Sequence, residues 1–337
     1  MRTLPAFRAL RAGYPGAHIT WLVERKAAGA LAAQPGLDEV LRFPREELSE
    51  RLRACDLPGL WRCARAFRAT LRARRFDLVV DFHGILKSGV ISWLTGAPRR
   101  VAYASPHGRE LAWLFANLRV RLDPMRLSRY ERNAALIEFL ALPAASGGAP
   151  LHLDPDAVKR MESRLGEIEA PIVIHPGTSP ATSHKRYPPE RYAAVARALR
   201  ERGAPVCLVA AGPGEAEAAM ARRIVEASQG AVVPAPATPS VADLAALFSR
   251  ARLFVGGDSG PLHIASLVGT PVVQIMGPTD PVENEPSAFT PWRRVRVPMA
   301  CSPCRRGCGA ATCMEVIPHE AVVDAAMELL DEKPAFG

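Results

Sequence analysis

The sequence of 337 residues holds no apolar run long enough to cross a bilayer, so no membrane-spanning helix is expected. Its first twenty residues carry arginines but no apolar stretch followed by a cleavage site, so no secretory signal peptide is expected either. Aromatics are scarce, at 6% of residues, and do not interleave with basic residues in any recognised nucleic-acid-binding motif. Nucleic acid is therefore not expected as a partner. A full G-x-G-x-x-G fingerprint is missing as well. Seven cysteines, an odd number in a chain of this size, fit a reducing cytoplasm better than a disulfide scaffold. What remains is a globular chain, 48% apolar with mean hydropathy +0.01, long enough for two full cores.

The positive charge is unevenly placed. Residues 1–150 hold 24 Lys and Arg against 13 Asp and Glu, a net +11, while residues 151–337 hold 19 against 21, a net −2. A GC-rich genome accounts for arginine over lysine, but not for one basic half. The physical reading is that the first half meets something anionic.

Strand and helix patterns alternate throughout. Strands are predicted at 18–23, 40–43, 77–82, 99–103, 172–174 and 206–210, and helices at 58–74, 86–95, 129–142, 189–202 and 215–228. The small, flexible stretch AASGGAP at 144–150 reads as a linker between domains 1–143 and 151–337. The fold class is α/β, with two Rossmann-like doubly wound domains and a ligand cleft at the carboxyl ends of their strands.

The most informative stretch is LFVGGDSGPLHIASLVGTPVVQIMGPTDPV, residues 253–282. It parses as strand, tight glycine turn, helix, strand, glycine turn. Gly256 and Gly257 suit a sharp turn, Asp258 or Ser259 suits the N-cap, and Pro261 fits the first helical turn. Such a helix start presents free N–H groups and partial positive charge to a phosphate or diphosphate, and His263 adds a donor. The bland alternative is a capped helix with no ligand. The GDSG-P string also suggests a serine-protease nucleophile, but one glycine of that motif is absent and the scaffold is wrong for a triad.

Three further constellations stand out. His175-Pro176-Gly177-Thr178-Ser179, followed by Ser183-His184-Lys185-Arg186, lies just after a strand and reads as an anion clamp or as a solvated basic loop. Gly212-Pro213-Gly214-Glu215 leads into a helix. Glu215 there is either a ribose acceptor or a first-turn acid. Cys301, Cys304, Cys308 and Cys313 fall within thirteen residues; they are reduced thiols or a possible zinc cluster.

Together these motifs resemble glycosyltransferase family 9, the ADP-heptose:lipopolysaccharide heptosyltransferases. The resemblance also takes in residues 2–24 and FDLVVDFHGILKSGVISWLTGAPRRVAY at 76–103. It implies a GT-B fold and inverting, metal-independent transfer of heptose from ADP-heptose to the lipopolysaccharide inner core, with no cofactor. The acceptor would be an anionic Kdo-bearing lipid A core, so the protein would be cytoplasmic and peripheral to the inner membrane. On the donor side the resemblance implies Thr178, Ser179, Lys185, Glu215, Asp258, Ser259, Gly260, Leu262 and His263; on the acceptor side, Asp81, His83 and Lys87. The family's first strand and a Gly-Asp loop normally precede the segment matching Thr3-Leu4-Pro5, and that aspartate is the expected general base. Its absence predicts a natural chain longer than this one, with Asp81 the nearest substitute by position. The alternatives are a GT-B transferase for another nucleotide sugar, or an impaired member lacking its base.

Overall fold

A computed structural model of the chain describes residues 1–31, 33–123, 127–143, 150–212, 214–304 and 307–332, apart from the side chains of Lys26, Ala27 and Pro180. The predicted linker therefore lies outside the described residues except for Pro150, as do Pro213, Arg305 and Arg306. The chain divides into two compact units. One comprises Thr3–Ala28 and Gly36–Ser146; the other comprises Met1–Arg2, Gly29–Pro35 and Gly147–Gly337.

The first unit contains α1 (Leu4–Gly13), β1 (Thr20–Val23), the start of α2 (Arg25–Leu31), β2 (Glu39–Arg42), α3 (Arg45–Arg53), α4 (Leu57–Ala73), β3 (Leu78–Asp81), α5 (Leu86–Thr95), β4 (Arg99–Tyr103), β5 (Leu118–Val120) and α6 (Arg129–Glu138). Every strand pair is parallel, as strand–helix alternation demands. The strands form two sheets, β1-β2 and β3-β4-β5. Among the described residues β1 and β3 each pair along one edge only, and their apolar residues stay half-buried. Parallel strands normally bury both faces, so this unit carries less strand burial than its length would suggest. Its core is built from Val101, Tyr103, Leu136 and their neighbours, with Ala6, Ala9 and Ile137 where α1 meets α6.

The second unit contains α7 (Pro155–Leu165), β6 (Ile172–His175), α8 (Pro189–Glu201), β7 (Cys207–Val209), α9 (Glu215–Ala227), β8 (Val232–Pro234), α10 (Val241–Ser249), β9 (Leu253–Gly257), α11 (Gly260–Leu267), β10 (Val272–Ile275), β11 (Trp292–Val295), α12 (Thr312–Glu315) and α13 (His319–Asp331). Its six parallel strands run in the order β11-β10-β9-β6-β7-β8. This is a doubly wound sheet whose direction of winding reverses between β6 and β9. The crevice beyond the carboxyl ends of those two strands is where such sheets hold ligands. β6, β9 and β10 are buried along their whole length, which explains their continuous apolar runs.

The two glycines at the end of β9 have a different task from the one expected. Neither has a positive φ, and both belong to the strand rather than to a turn. A Cβ on Gly256 would sit 2.8 Å from the His175 carbonyl oxygen and 2.8 Å from the fully buried Phe254 ring. Gly256 is therefore required for close strand packing. Gly256→Ala is expected to cost about 2 kcal/mol by overpacking. Urea unfolding checks this, and a loss below about 0.5 kcal/mol, the range of a neutral surface change, would refute it.

Candidate active site

The site is assembled where the winding of the second unit reverses. β6 delivers His175, and the chain then runs through a 3-10 turn (Pro180–Lys185) that ends on Lys185. β9 delivers Asp258, and Ser259 becomes the N-cap of α11 in extended backbone. β10 leads through Gly277 and Pro278 to Thr279. These three loops meet on one carboxylate. Lys185 Nζ donates to Asp258 Oδ2 at 3.0 Å, and Thr279 Oγ1 donates to the same oxygen at 2.8 Å. His263 Nε2 lies 3.9 Å from Asp258 Oδ1. The Asp258 and His263 side chains are 7% and 5% exposed and that of Lys185 is 19% exposed, so the pair is held in a largely desolvated place. There its Coulomb attraction is stronger than at the surface.

The helix start adds to this field. Gly260, Leu262 and His263 bring first-turn N–H groups, whereas Pro261 has none to give. The Leu262 side chain is fully buried, so only its backbone is placed to contribute. The Ser259 hydroxyl is buried without a hydrogen-bond partner among the described residues, a group still owed a contact. A cation, a helix N-terminus and an unsatisfied hydroxyl beside a fixed carboxylate suit a ligand with both phosphate and hydroxyl groups.

The 178–186 loop is braced from within. Arg186 turns away from Lys185: its Nε donates to Thr178 Oγ1 at 3.2 Å and its Nη2 to the Thr178 carbonyl at 3.0 Å. Of the two basic residues of the expected clamp, only Lys185 reaches Asp258. Thr178 is buried and hydrogen-bonds the Thr182 carbonyl, while Ser179 is exposed with its hydroxyl 2.9 Å from that of Thr182.

Glu215 does not face this loop. Its side chain is 81% exposed and pairs with Arg222. Two residues further along α9, Glu217 turns back, and its Oε2 accepts from the Gly212 N–H at 2.8 Å. A Cβ on Gly177 or on Gly212 would collide with that oxygen, so both glycines make room for Glu217. Glu217 and Thr279 are the site residues that sequence reading missed. Of those two glycines only Gly212, five residues before Glu217, lies near it in sequence.

The acceptor-side candidates lie in the first unit, around the start of α5. Asp81 is buried, and both its oxygens are engaged. Oδ1 accepts from the His83 and Gly84 N–H groups at 2.9 and 3.2 Å, and Oδ2 accepts from Ser88 Oγ at 2.8 Å. Asp81 therefore fastens the loop that leads into α5, which argues against it as a substitute base. His83 is exposed on that loop, and Lys87 Nζ donates to Glu24 Oε1 at 2.7 Å.

The four cysteines at 301–313 are all free thiols. Among the described residues, no group of three or more His, Cys, Asp or Glu is arranged to hold a metal ion, so the possible zinc cluster finds no support in the geometry. The segment instead braces the Thr279 strap. Ser302 Oγ donates to the Gly277 carbonyl at 2.9 Å, and the Cys304 N–H donates to the Pro278 carbonyl. Among the described residues, no helix is long and apolar enough to cross a membrane.

Known proteins share this fold and sequence pattern. The sequence pattern of Glycosyltransferase family 9 (heptosyltransferase) matches residues 64–312. The chain is 24% identical over 273 residues to the lipopolysaccharide core heptosyltransferase OpsX of Haemophilus influenzae, covering 81% of this chain and 74% of that protein. It is 28% identical over 289 residues to lipopolysaccharide heptosyltransferase 1 of Pseudomonas aeruginosa, covering 83% and 76%. Its fold matches the solved E. coli heptosyltransferase WaaC with ADP at a TM-score of 0.76, over 97% of this chain and 95% of that one, at 20% identity. The fold is thus GT-B, with two Rossmann-like parts. The matched pattern runs from α4 to the cysteine segment and includes both the Lys185 loop and the α11 turn, so the chain belongs to glycosyltransferase family 9 and is a glycosyltransferase.

Proposed function

We propose that this protein transfers heptose from ADP-heptose to the inner core of lipopolysaccharide, with inversion at the anomeric carbon and without a metal ion. The observation that carries the reading is the convergence of Lys185, Thr279 and the α11 N-terminus on Asp258, at the reversal point of a nucleotide-type sheet. The family relatives, named as lipopolysaccharide heptosyltransferases, support the choice of sugar and acceptor.

In this reading the donor diphosphate lies against the first turn of α11, where the N–H groups of Gly260, Leu262 and His263 and the hydroxyl of Ser259 face it. Asp258 accepts hydrogen bonds from heptose hydroxyls. Glu217, rather than Glu215, accepts hydrogen bonds from the ribose hydroxyls. An acceptor hydroxyl attacks the anomeric carbon from the face opposite ADP, and its proton passes to solvent water. The new C–O bond forms as the bond to the diphosphate oxygen breaks, and that electron pair leaves on ADP. Lys185 and the helix start meet the developing negative charge with groups already in place, so they do the work that a metal ion does elsewhere. The acceptor, a phosphorylated Kdo-lipid A core, matches the +11 carried by residues 1–150 and puts the protein on the cytoplasmic face of the inner membrane.

Mass spectrometry of the acceptor tests the proposal. Incubation with ADP-heptose in the presence of EDTA should add one heptosyl residue and release ADP. Transfer that occurs only from a different nucleotide sugar would replace the donor, and transfer abolished by EDTA would remove the metal-independent mechanism.

A further inference from the structure

Helix α4 carries an exposed face that takes no part in the candidate site. A repeat of 3.6 residues puts positions 57, 61, 65, 68 and 72 within about a quarter of the helix circumference. In this chain they are Leu57, Trp61, Arg65, Arg68 and Arg72. The helix turns Gly59, Phe67 and Leu71 inward. Leu57 is 65% exposed and Trp61 60% exposed, and Leu52, at the end of α3, is 61% exposed beside them in sequence. Large apolar side chains left in water at successive positions of one face mark a surface made to be covered.

The charge on this helix has one sign. α4 has four arginines and no acidic residue. The acid at its entry, Asp56, is already committed, accepting from Arg51 Nη1 at 2.9 Å and from the Gly59 N–H at 2.8 Å. Arg65 lies over the Trp61 ring, 5.1 Å from its centroid, which holds the indole flat beneath a cation. The pattern is an aliphatic and indole end that continues into an arginine ridge along one helix.

We infer that the exposed face of α4, from Leu57 and Trp61 through Arg65 and Arg68, docks the protein on an anionic phospholipid bilayer. Trp61 and Leu57 enter the headgroup boundary, where an amphipathic ring with an apolar neighbour is most stable, and the arginines pair with lipid phosphates. A nucleic acid would satisfy the arginines but would leave the aliphatic side chains of Leu52 and Leu57 in water. A bilayer satisfies both. The inference rests on the proposed function only in that a lipid-linked acceptor must be met at a membrane.

Vesicle co-sedimentation tests it, using phosphatidylcholine vesicles and vesicles of phosphatidylcholine mixed with phosphatidylglycerol. The unaltered protein should partition onto the mixed vesicles and not the neutral ones, with a blue shift of tryptophan fluorescence. Leu57→Ser with Trp61→Ser, and separately Arg65→Glu with Arg68→Glu, should each lower that partition by about tenfold or more while thermal unfolding stays unchanged. Undiminished partition in both variants would overturn the inference. So would equal partition onto neutral vesicles, or capture by a single-stranded oligonucleotide in preference to the vesicles. Vesicle binding by a protein that transfers no heptose would instead count against the proposed function and leave the docking face standing.

Discussion

Lys185→Ala is expected to lower turnover by about a hundredfold, the effect of removing one preorganised donor from a developing negative charge. Lys185 is the only side-chain cation seen to bond Asp258 among the described residues, at 3.0 Å, so no neighbouring group replaces it. Its loss also leaves the Asp258 carboxylate, 7% exposed, with Thr279 as its remaining bonded donor. Breaking one side of such a pair costs about 3 kcal/mol in stability, so a lower melting temperature should accompany the kinetic loss. Lys185→Arg separates the two effects. It keeps the charge and should restore stability, but a planar fork cannot occupy the place of a compact ammonium, so turnover should recover only in part. Asp258→Asn should keep the hydrogen bond from Thr279 while removing the charge that holds Lys185. Steady-state kinetics on the three variants checks the scheme. Turnover within about threefold of the parent for both Lys185→Ala and Asp258→Asn would remove the pair from the chemistry, because a lost transition-state contact costs far more than that.

His175 is expected to make the protein sensitive to mild acid. It is 3% exposed, and burial pushes its pKa down from the ordinary 6.5 to about 4. In the unfolded chain the ring takes a proton as pH falls through 6.5, whereas in the folded protein it stays neutral until about 4. The unfolded state thus binds more protons between those values, and stability is lost as pH falls across that window, by about 3 kcal/mol in all. Above pH 6.5 this group contributes no slope. Urea midpoints at neutral pH and at two points within the window, compared with His175→Gln, isolate the effect, because the carboxylates titrate equally in both proteins. Parallel pH dependence in the two would contradict it. The ring also packs edge-on to Phe248, with centroids 6.4 Å apart, and stands beside Gly177 of the site loop. Protonation should therefore loosen the donor loop before the whole unit unfolds.

The helices and strands were legible in the sequence wherever periodicity was long and apolar. The predicted helices at 58–74, 86–95 and 189–202 lie within one residue of α4, α5 and α8, and the strands at 99–103 and 172–174 lie within one residue of β4 and β6. Lys185, Asp258 and the α11 turn were legible as well, because loops after parallel strands converge at the reversal point of the sheet. The rest depended on distance or direction, which a linear pattern does not encode. Thr279 bonds Asp258 across 21 residues, and no local signal announces that contact. Glu215 and Glu217 are both first-turn acids of α9, and only the path of the Gly212 loop decides which one turns inward. Lys185 and Arg186 are adjacent, and the end of the 3-10 turn sends them opposite ways. A glycine pair before a polar run normally marks a turn, whereas in the structure Gly256 is a spacer between β6 and β9. The division of the first unit into β1-β2 and β3-β4-β5 likewise depends on pairing, which strand-like runs do not reveal by themselves.

Isothermal titration of the protein with ADP-heptose, ADP and a panel of UDP-sugars, in buffer containing EDTA, measures what the Lys185–Asp258 site takes. The prediction is saturable binding of ADP-heptose and ADP, at least tenfold weaker binding of every UDP-sugar, and loss of ADP-heptose binding in Asp258→Ala. Tight binding of a UDP-sugar with none of ADP-heptose, or ADP-heptose binding that survives Asp258→Ala unchanged, would contradict it.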